Sequence, residues 1–580
     1  MADRFPDSLA KFPLKKFDAF DTETINRPGR GEACLLIRKT GAGLTELKPN
    51  PKTFGEIFDF LRGKSWVAWN ADFDARAIVH PNFIPWKKVA ELGERERMAW
   101  RGYRFEMIPG KRLSVRRGRA SFELFDLRQF FGCSLESWGR EYLKESADGK
   151  AKIPRKWYTE FDRCLADSRR GRALAYGARD AEVLARALDL LLKAYAGAKI
   201  DVKSLMSSAS IAKRVFGPIM RQSGLIPNGI NRAFEPAFFG GRIEVFGLGE
   251  FRGAIKKFDV HSAYPAEMAK LCPFAPKFYK ETTRGPEYSA HYVEIKVPST
   301  WAIGPVAVRR PDGCVYFPVG AFRTWMTGLA LSYCREDLGL KIRVLESLHV
   351  PITGEPIFGR MSEFYERRKD PISGIAFKLT MNSWYGCLCE IANRRIGSKY
   401  QHYGTFAAFP WAAYVTEAVR IKVDRLLRSP GARPLAAMTD GVLLSGDPEI
   451  SPDVLGPGMG QWGLEGEFDR AVILGCGRYY LYSGGELVEQ HLRGFPAKYP
   501  AAKLEGCRAK SKRIKMLEAL SFKEWVKAYC IPEFNVLLET PRILKIGDDK
   551  RHWEGTFRAI GEAWRKGIDS KPLLCYHSPR

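Results

Sequence analysis

The sequence predicts a multidomain chain of the α+β class, and two observations carry that expectation. At 580 residues with 45% apolar content, the chain is long enough for about two to four domains with cores of their own. Strand-like runs that carry acids, FDAFDTETIN at 17–26 and KKFDV at 256–260, alternate with long helical patterns, the longest at about 165–196. No repeat or low-complexity tract interrupts this order.

Charge narrows the choice of partner. With 93 Lys and Arg against 66 acids the net charge is +27, so the surface attracts polyanions. No apolar run reaches the roughly 18 residues of a membrane span, so nucleic acid rather than a membrane is the expected partner. The twelve cysteines are scattered. The tight pair Cys387 and Cys389 has one residue between them, whereas zinc ligands are spaced by about two to four. Buried thiols in a reduced intracellular protein are therefore expected. Met1-Ala2-Asp3-Arg4 is not followed by an apolar stretch, so no signal peptide is expected.

Taken in order, the chain places acids where strands end or alternate. Asp21 and Glu23 are two apart in a probable strand and so point the same way. WVAW at 66–69 reads as a buried strand and leads into Asn70, Phe73 and Asp74. Tyr176 and Asp180 are four apart on the long helical pattern and share one face. Next come Phe238-Phe239-Gly240-Gly241-Arg242, whose glycines allow close backbone approach or form a bulge. In KKFDVHSAYP (256–265), Asp259 stands at a strand end where Pro265 follows closely. Residues 355–386 read as two helices with Arg367-Arg368-Lys369 near the join, and the segment KLTMNSWYG sets Lys378 four residues before Asn382. AMTDG at 437–441 precedes the apolar run Val442-Leu443-Leu444, GCGRYYLY fills 475–482, and a basic run spans Arg508 to Lys515. Singly, each has a plain explanation: an exposed acid, a turn cap, a core tyrosine or a solvated helix face.

Their company and order change that reading. The stretches around Asp259, Lys378 and Asp440 resemble motifs A, B and C of family B DNA polymerases, most of all the protein-primed polymerases of linear phages and plasmids. The stretches around Asp21, Asn70 and Tyr176 resemble the ExoI, ExoII and ExoIII motifs of DEDD 3'-5' proofreading exonucleases. The resemblance spans about residues 15–482. It implies an RNase H-like exonuclease domain over 1–200 and a right-hand polymerase domain over 201–580. Within the latter it implies a palm at about 228–275 and 430–490, an insertion at 276–354, fingers at 355–400 and a thumb at 491–580.

Roles follow from the resemblance residue by residue. Asp21, Glu23, Asp74 and Asp180 would hold two divalent cations and Tyr176 would orient the attacking water. Converging like charges make chemical sense around cations, and magnesium, with manganese as substitute, suits oxygen ligands. Asn70 and Phe73 would contact single-stranded DNA, as would Ser134 and Leu135, with Lys144 or Lys150 near the scissile phosphate. In the polymerase half, Asp259, Val260 and Asp440 would hold two further cations, while Tyr264 would stack under the sugar and exclude a 2'-hydroxyl. Lys378, Asn382, Tyr385, Gly386 and Arg367 would bind the nucleotide. Phe238, Gly240 and Gly241 resemble the YxGG motif, with phenylalanine replacing tyrosine. Arg478 and Tyr480 resemble the KxY motif at the primer end, with arginine replacing lysine. Met438 stands where motif C usually has its first acid. The basic run from Arg508 fits phosphate contacts or a solvated helix face equally well.

The implied protein is a monomeric, cytoplasmic DNA-directed DNA polymerase with proofreading. It would act on primer-template DNA and dNTPs, with a terminal protein as partner if priming is by protein. The alternatives are a conventionally primed or primer-independent polymerase, a stand-alone 3'-5' exonuclease, and a non-catalytic DNA-binding remnant suggested by Met438. Fifty-three residues separate Gly386 from Asp440. A helix from about Trp411 to Leu427 and the strand into Asp440 occupy most of them, leaving room for a short hairpin around Ile396-Gly397-Ser398. The TPR2 insertion of protein-primed enzymes is therefore expected to be reduced or absent.

Overall fold

The structure is a computed structural model that describes residues 17–24, 32–39, 45–142, 154, 156–157, 160–278, 285–370, 374–392, 402–495, 499–519, 522–528 and 537–575. It divides into two compact units. The first comprises Met1–Ile211 with Arg367–Thr380 and Met516–Thr540, and the second comprises the remaining segments. Both mix sheets with helices, as the α+β expectation requires.

The first unit is built on an eight-stranded sheet. Its strands, from edge to edge, are Thr45–Pro49, Ala33–Lys39, Phe17–Thr24, Ser65–Ala68, Ala120–Asp126, Arg112–Arg117, Tyr103–Ile108 and Arg97–Trp100. Phe17–Thr24 runs parallel to Ser65–Ala68, and that strand runs parallel to Ala120–Asp126. These central strands are buried over most of their length, which suits parallel strands covered on both faces. The helix Phe54–Leu61 covers one face with Phe54, Ile57, Phe58 and Leu61, and its start is capped by the Thr53 hydroxyl, which accepts from the Glu56 amide at 3.2 Å. The helical pattern expected over 165–196 is the 28-residue helix Arg170–Gly197, preceded by the short helix Phe161–Cys164. It packs on Phe17–Thr24 and Ala33–Lys39. Gly177 permits that approach, because a Cβ there would stand 2.7 Å from Ile37 Cδ1.

Residues 522–528, expected in the thumb, belong to the first unit's core. Phe522, Trp525 and Val526 are buried among Ile78, Val89 and Leu92. The Phe522 amide donates to Asp72 Oδ2 at 3.1 Å, and the Trp525 ring packs against His80 and Trp86. Local sequence could not reveal this, because the contact joins residues 450 positions apart.

The second unit carries a nine-stranded sheet. Its main path runs Glu486–Leu492, Arg478–Ser483, Trp462–Gly475, Gly247–Val260, Gly441–Gly446, Ala432–Thr439 and Arg242–Val245, while Ile568–Pro572 also pairs with Gly247–Val260 and with Arg551–Trp553. Chain residues from the expected thumb thus return to the sheet. The helix Phe409–Leu427 lies under it, burying Val419, Val423, Leu426 and Leu427 against Phe258, Val260, Ala437, Val442 and Leu444. A four-stranded sheet of Ile342–Pro351, Glu287–Val297, Val319–Thr327 and Leu574–Cys575 completes the unit. The two helices expected over 355–386 are Arg360–Arg367 and Gly374–Leu388. The basic run from Arg508 enters the strand Ser511–Ala519, which pairs with Leu537–Lys545. It is therefore not a helix face. Ile514 is buried between the exposed Arg513 and Lys515, the alternation of a strand with one covered side.

Candidate active sites

In the first unit the alternation of Phe17–Thr24 decides which groups meet. Asp21 and Glu23 project to one side and, with Asp180 from the long helix, bring carboxylate oxygens within 4.8 Å of one another. The intervening Thr22 is buried and its hydroxyl donates to Asp74 Oδ1 at 2.8 Å, tying the helix Ala71–Ile78 to the same strand. Burial, then the charges of Asp74, Glu23 and Asp180, hold the Asp21 carboxyl well above its ordinary range. Burial lifts Asp74 to about 7 despite the Thr22 hydrogen bond. Four carboxyls from three separated stretches are thus held where their mutual repulsion favours cations or protons.

The neighbouring groups divide into those at the surface and those inside. Tyr176 is buried one helical turn before Asp180, with its ring 6.5 Å from that of Phe161. Asn70 occupies the N-cap of Ala71–Ile78 without a side-chain cap bond, and Phe73 is half-buried beneath the Arg76 guanidinium. Ser134 caps the helix Leu135–Tyr142, accepting from the Ser137 amide at 3.0 Å, which gives its hydroxyl a local structural task. Lys144 and Lys150 lie outside the described residues. One acid escaped sequence reading: Asp126 ends its strand in register with Ala68. Burial raises it to about 6, and its charge in turn raises Asp74. Its only sequence signal is an acid closing an apolar strand.

In the second unit, Asp259 ends the central strand directly opposite Gly441. The Val260 amide donates to the Asp440 carbonyl at 3.0 Å, so the two acids come from adjacent strands at one end of the sheet. Asp440 is presented by a tight turn in which its amide donates to the Met438 carbonyl at 2.9 Å, with Thr439 at φ 68°, the hydrogen bond of a strained γ-turn. Gly441 leaves room beside Asp259, because a Cβ there would lie 3.0 Å from Asp259 Oδ1. Burial, then Asp440 and Glu465, raise Asp259 to about 7. Burial and Glu465 raise Asp440 as well. Glu465, on Trp462–Gly475, was missed by sequence reading. It pairs with Lys257 at 2.8 Å and becomes visible only once the strands are side by side.

The flanking motifs converge on these acids. Tyr264 and Tyr385 meet with ring centroids 4.6 Å apart. Gly241 sits against both Tyr264 and motif C, since a Cβ there would stand 2.5 Å from Thr439 Cγ2 and 2.8 Å from the Tyr264 hydroxyl. Gly240 is open to solvent, and its carbonyl accepts from Arg420 Nη1 at 2.8 Å. The Phe238 ring packs edge-on against Phe409. Behind them is an ionic network that sequence reading did not foresee: Arg242 reaches Glu244 at 2.6 Å and Asp424 at 2.7 Å, and Arg551 reaches Glu244 at 2.6 Å.

The remaining candidates are distributed as follows. Lys378 and Asn382 are both exposed on Gly374–Leu388, as is Gly386, and Arg367 ends the preceding helix, exposed. Lys378 and Arg367 fall within the first unit, and Asn382, Tyr385 and Gly386 within the second. Arg478 is half-buried, donating to the Lys545 carbonyl at 3.2 Å. Tyr480 departs from expectation. It is 0% exposed with its ring 5.3 Å from that of Trp564, because a C-terminal turn covers that face of the strand, so its side chain is core rather than DNA-facing.

These geometries can be set beside those of known proteins. Residues 148–387 match the family described as DNA polymerase type B, organellar and viral, so the family B resemblance of the motifs is borne out. A DNA-directed DNA polymerase of Enterobacteria phage PRD1 is 24% identical over 315 residues, covering 46% of this chain and 54% of the relative. The chain thus spans about half the length of that relative. Among solved structures, an orthorhombic crystal form of phi29 DNA polymerase superposes with a TM-score of 0.62 at 15% identity, covering 92% of this chain and 100% of that one. A phi29 ternary complex with primer-template DNA and incoming nucleotide gives 0.61 at 15%, with the same coverage. The fold is accordingly an RNase H-like exonuclease domain followed by a right-hand palm, fingers and thumb.

Proposed function

We propose that the chain is a DNA-directed DNA polymerase that edits its product with a 3'-5' exonuclease. The observation that carries the reading is that each unit gathers carboxyls, half-buried apart from the buried Asp74, from non-adjacent stretches and pushes several of them upward, Asp74 and Asp259 to about 7. Such clusters suit divalent cations, and all-oxygen donors suit magnesium. Asp259, Val260 and Asp440 would hold it in the polymerase site, and Asp21, Glu23, Asp74 and Asp180 in the exonuclease site. When bound, the cations supply positive charge against phosphate oxygens and favour the deprotonated nucleophile.

The chain's own residues supply position. In polymerisation a primer 3'-oxygen attacks the α-phosphate of a dNTP in line, and pyrophosphate leaves. Tyr264, braced by Tyr385 and by the closeness of Gly241, would sit under the sugar and select against a 2'-hydroxyl. Asn382, Lys378 and Arg367 would meet the base pair and the triphosphate, Arg478 the primer strand, and Phe238 with Gly240 the template. In editing, Tyr176 would orient the attacking water while Asn70 and Phe73 hold the frayed 3' end. The likeness to phage polymerases supports DNA and nucleotides as substrates. It also keeps protein priming as the favoured mode, with a partner that offers a nucleotide-bearing hydroxyl. Purified protein given Mg²⁺, dNTPs and a primed template tests the reading, and incorporation opposite template bases is expected. Degradation without incorporation would leave the exonuclease alone, and neither activity would leave a DNA-binding remnant.

A further inference from the structure

The first unit has a basic feature that none of these roles uses. A cleft of about 1260 Å³ opens on the half of the sheet formed by Arg97–Trp100, Tyr103–Ile108, Arg112–Arg117 and Ala120–Asp126. Six cationic and three acidic side chains line it, and the acids are already engaged. Glu91 pairs with Lys88 at 2.7 Å, Glu106 with Arg97 and Arg112 at 3.3 Å, and Glu123 with Arg112 at 3.0 Å. Arg95, Arg104, Arg116 and Arg119 are all exposed, and no carboxylate forms an ion pair with any of them among the described residues.

Register makes the imbalance sharper. Arg104 stands directly opposite Arg116 on neighbouring strands, a like-charge pairing that opposes sheet formation. Ser121 is opposite Arg116, and Ser114 is opposite Glu106, which adds hydroxyl donors to the same face. Guanidiniums in excess over already-paired acids, with hydroxyls beside them, are a donor set that recognises phosphodiester oxygens. A protein partner would be expected to need exposed aromatic or aliphatic anchors, and none of the large exposed apolar side chains among the described residues lies on this sheet.

We propose that this cleft is a DNA backbone-binding surface, distinct from the carboxylate cluster of the same unit and independent of metal. Binding of fluorescently labelled 30-mers, single-stranded in one arm and duplex in the other, is measured in EDTA over a series of salt concentrations. EDTA silences both proposed activities, so the outcome stands apart from the functional reading above. Replacing Arg104, Arg116 and Arg119 by alanine is expected to weaken at least one DNA form about tenfold or more and to lower the slope of log affinity against log salt by about 2 to 3, the loss of three phosphate contacts. Replacing the same three by lysine should retain most of the slope. The form that loses affinity identifies the strand state the cleft takes. Unchanged affinity and slope for both forms in a folded variant would overturn the proposal. So would an equal loss in Arg62→Ala, whose exposed side chain is ion-paired with Asp59, since the effect would then be overall charge alone.

Discussion

Tyr264 is held from two sides, by the Tyr385 ring and by a glycine that cannot carry a side chain without striking it. A residue so fixed can act as a steric gate rather than as mobile packing. Tyr264→Ala is expected to raise ribonucleotide use relative to deoxynucleotide use by about tenfold or more, since opening space beside the sugar removes a clash worth about 1.4 kcal/mol or more. Incorporation of paired rNTP and dNTP substrates measures it, and a changed rate with an unchanged ratio would assign Tyr264 to the core. At this scale placement was legible wherever the residues are neighbours in the chain: Asp21 and Glu23 on one side of a strand, Tyr176 and Asp180 on one turn of a helix, Tyr264 just after the strand that ends near Asp259. Glu465 and Asp126 were not legible. Each sits in an ordinary strand and gains importance from a charge on a different element, the strand that carries Asp259 for one and the helix that carries Asp74 for the other.

Elements are locked together by buried polar groups, and this predicts where they fail. Asp424 of the helix Phe409–Leu427 accepts from Arg242, from Tyr333 at 2.7 Å and from Arg428 at 2.6 Å, with its side chain 2% exposed. Asp424→Ala leaves the buried Arg242 short of a counter-ion and is expected to cost about 3 to 5 kcal/mol in denaturant unfolding; a loss below about 1 kcal/mol would contradict the network's role. The strand Glu287–Val297 makes a pH prediction. His291 lies between Ser289 at 3.0 Å and Ser347 at 2.8 Å, facing His349 with Glu287 and Arg335 nearby. Burial, then His349, lowers it to about 4. A histidine with a lowered folded value takes up its proton more readily when unfolded, so its stabilisation is complete above about pH 6.5 and is lost as pH falls toward 4, by up to about 3 kcal/mol. Thermal unfolding of wild type and His291→Gln between pH 7.5 and 4.5 should converge or cross at the acid end, and parallel profiles would refute the assignment. The helices were legible to within a few residues because their apolar spacing is local. The Arg242–Glu244–Asp424 network was not, since it joins residues 182 positions apart.

At the scale of the whole molecule the chain order conceals two features. The first unit takes its core partners Phe522, Trp525 and Val526 from late in the sequence, and the nine-stranded sheet of the second unit takes Ile568–Pro572. Both are products of long-range packing with no motif to announce them. Between Gly386 and Asp440 the described residues form the end of one helix, the short pair Ile391–Ala392 with His402–Tyr403, the helix Phe409–Leu427 and the strand Ala432–Thr439. The hairpin expected around Ile396-Gly397-Ser398 lies outside the described residues. Little chain remains for an encircling insertion, so the proposed polymerase is expected to displace strands poorly and to dissociate often. Rolling synthesis on a singly primed circle with a competitor trap should give short products, and products many times the circle length from one binding event would contradict this.

The central claim is that two carboxylate clusters perform two separate reactions. The direct measurement follows primer extension and single-strand degradation in the same purified variants, with folding checked by thermal unfolding. Asp440→Ala should abolish extension, by about a thousandfold or more if it removes charge stabilisation of the transition state, and leave degradation within about twofold. Asp21→Ala combined with Glu23→Ala should do the reverse. Loss of both activities in either folded variant, or of neither, would contradict the account.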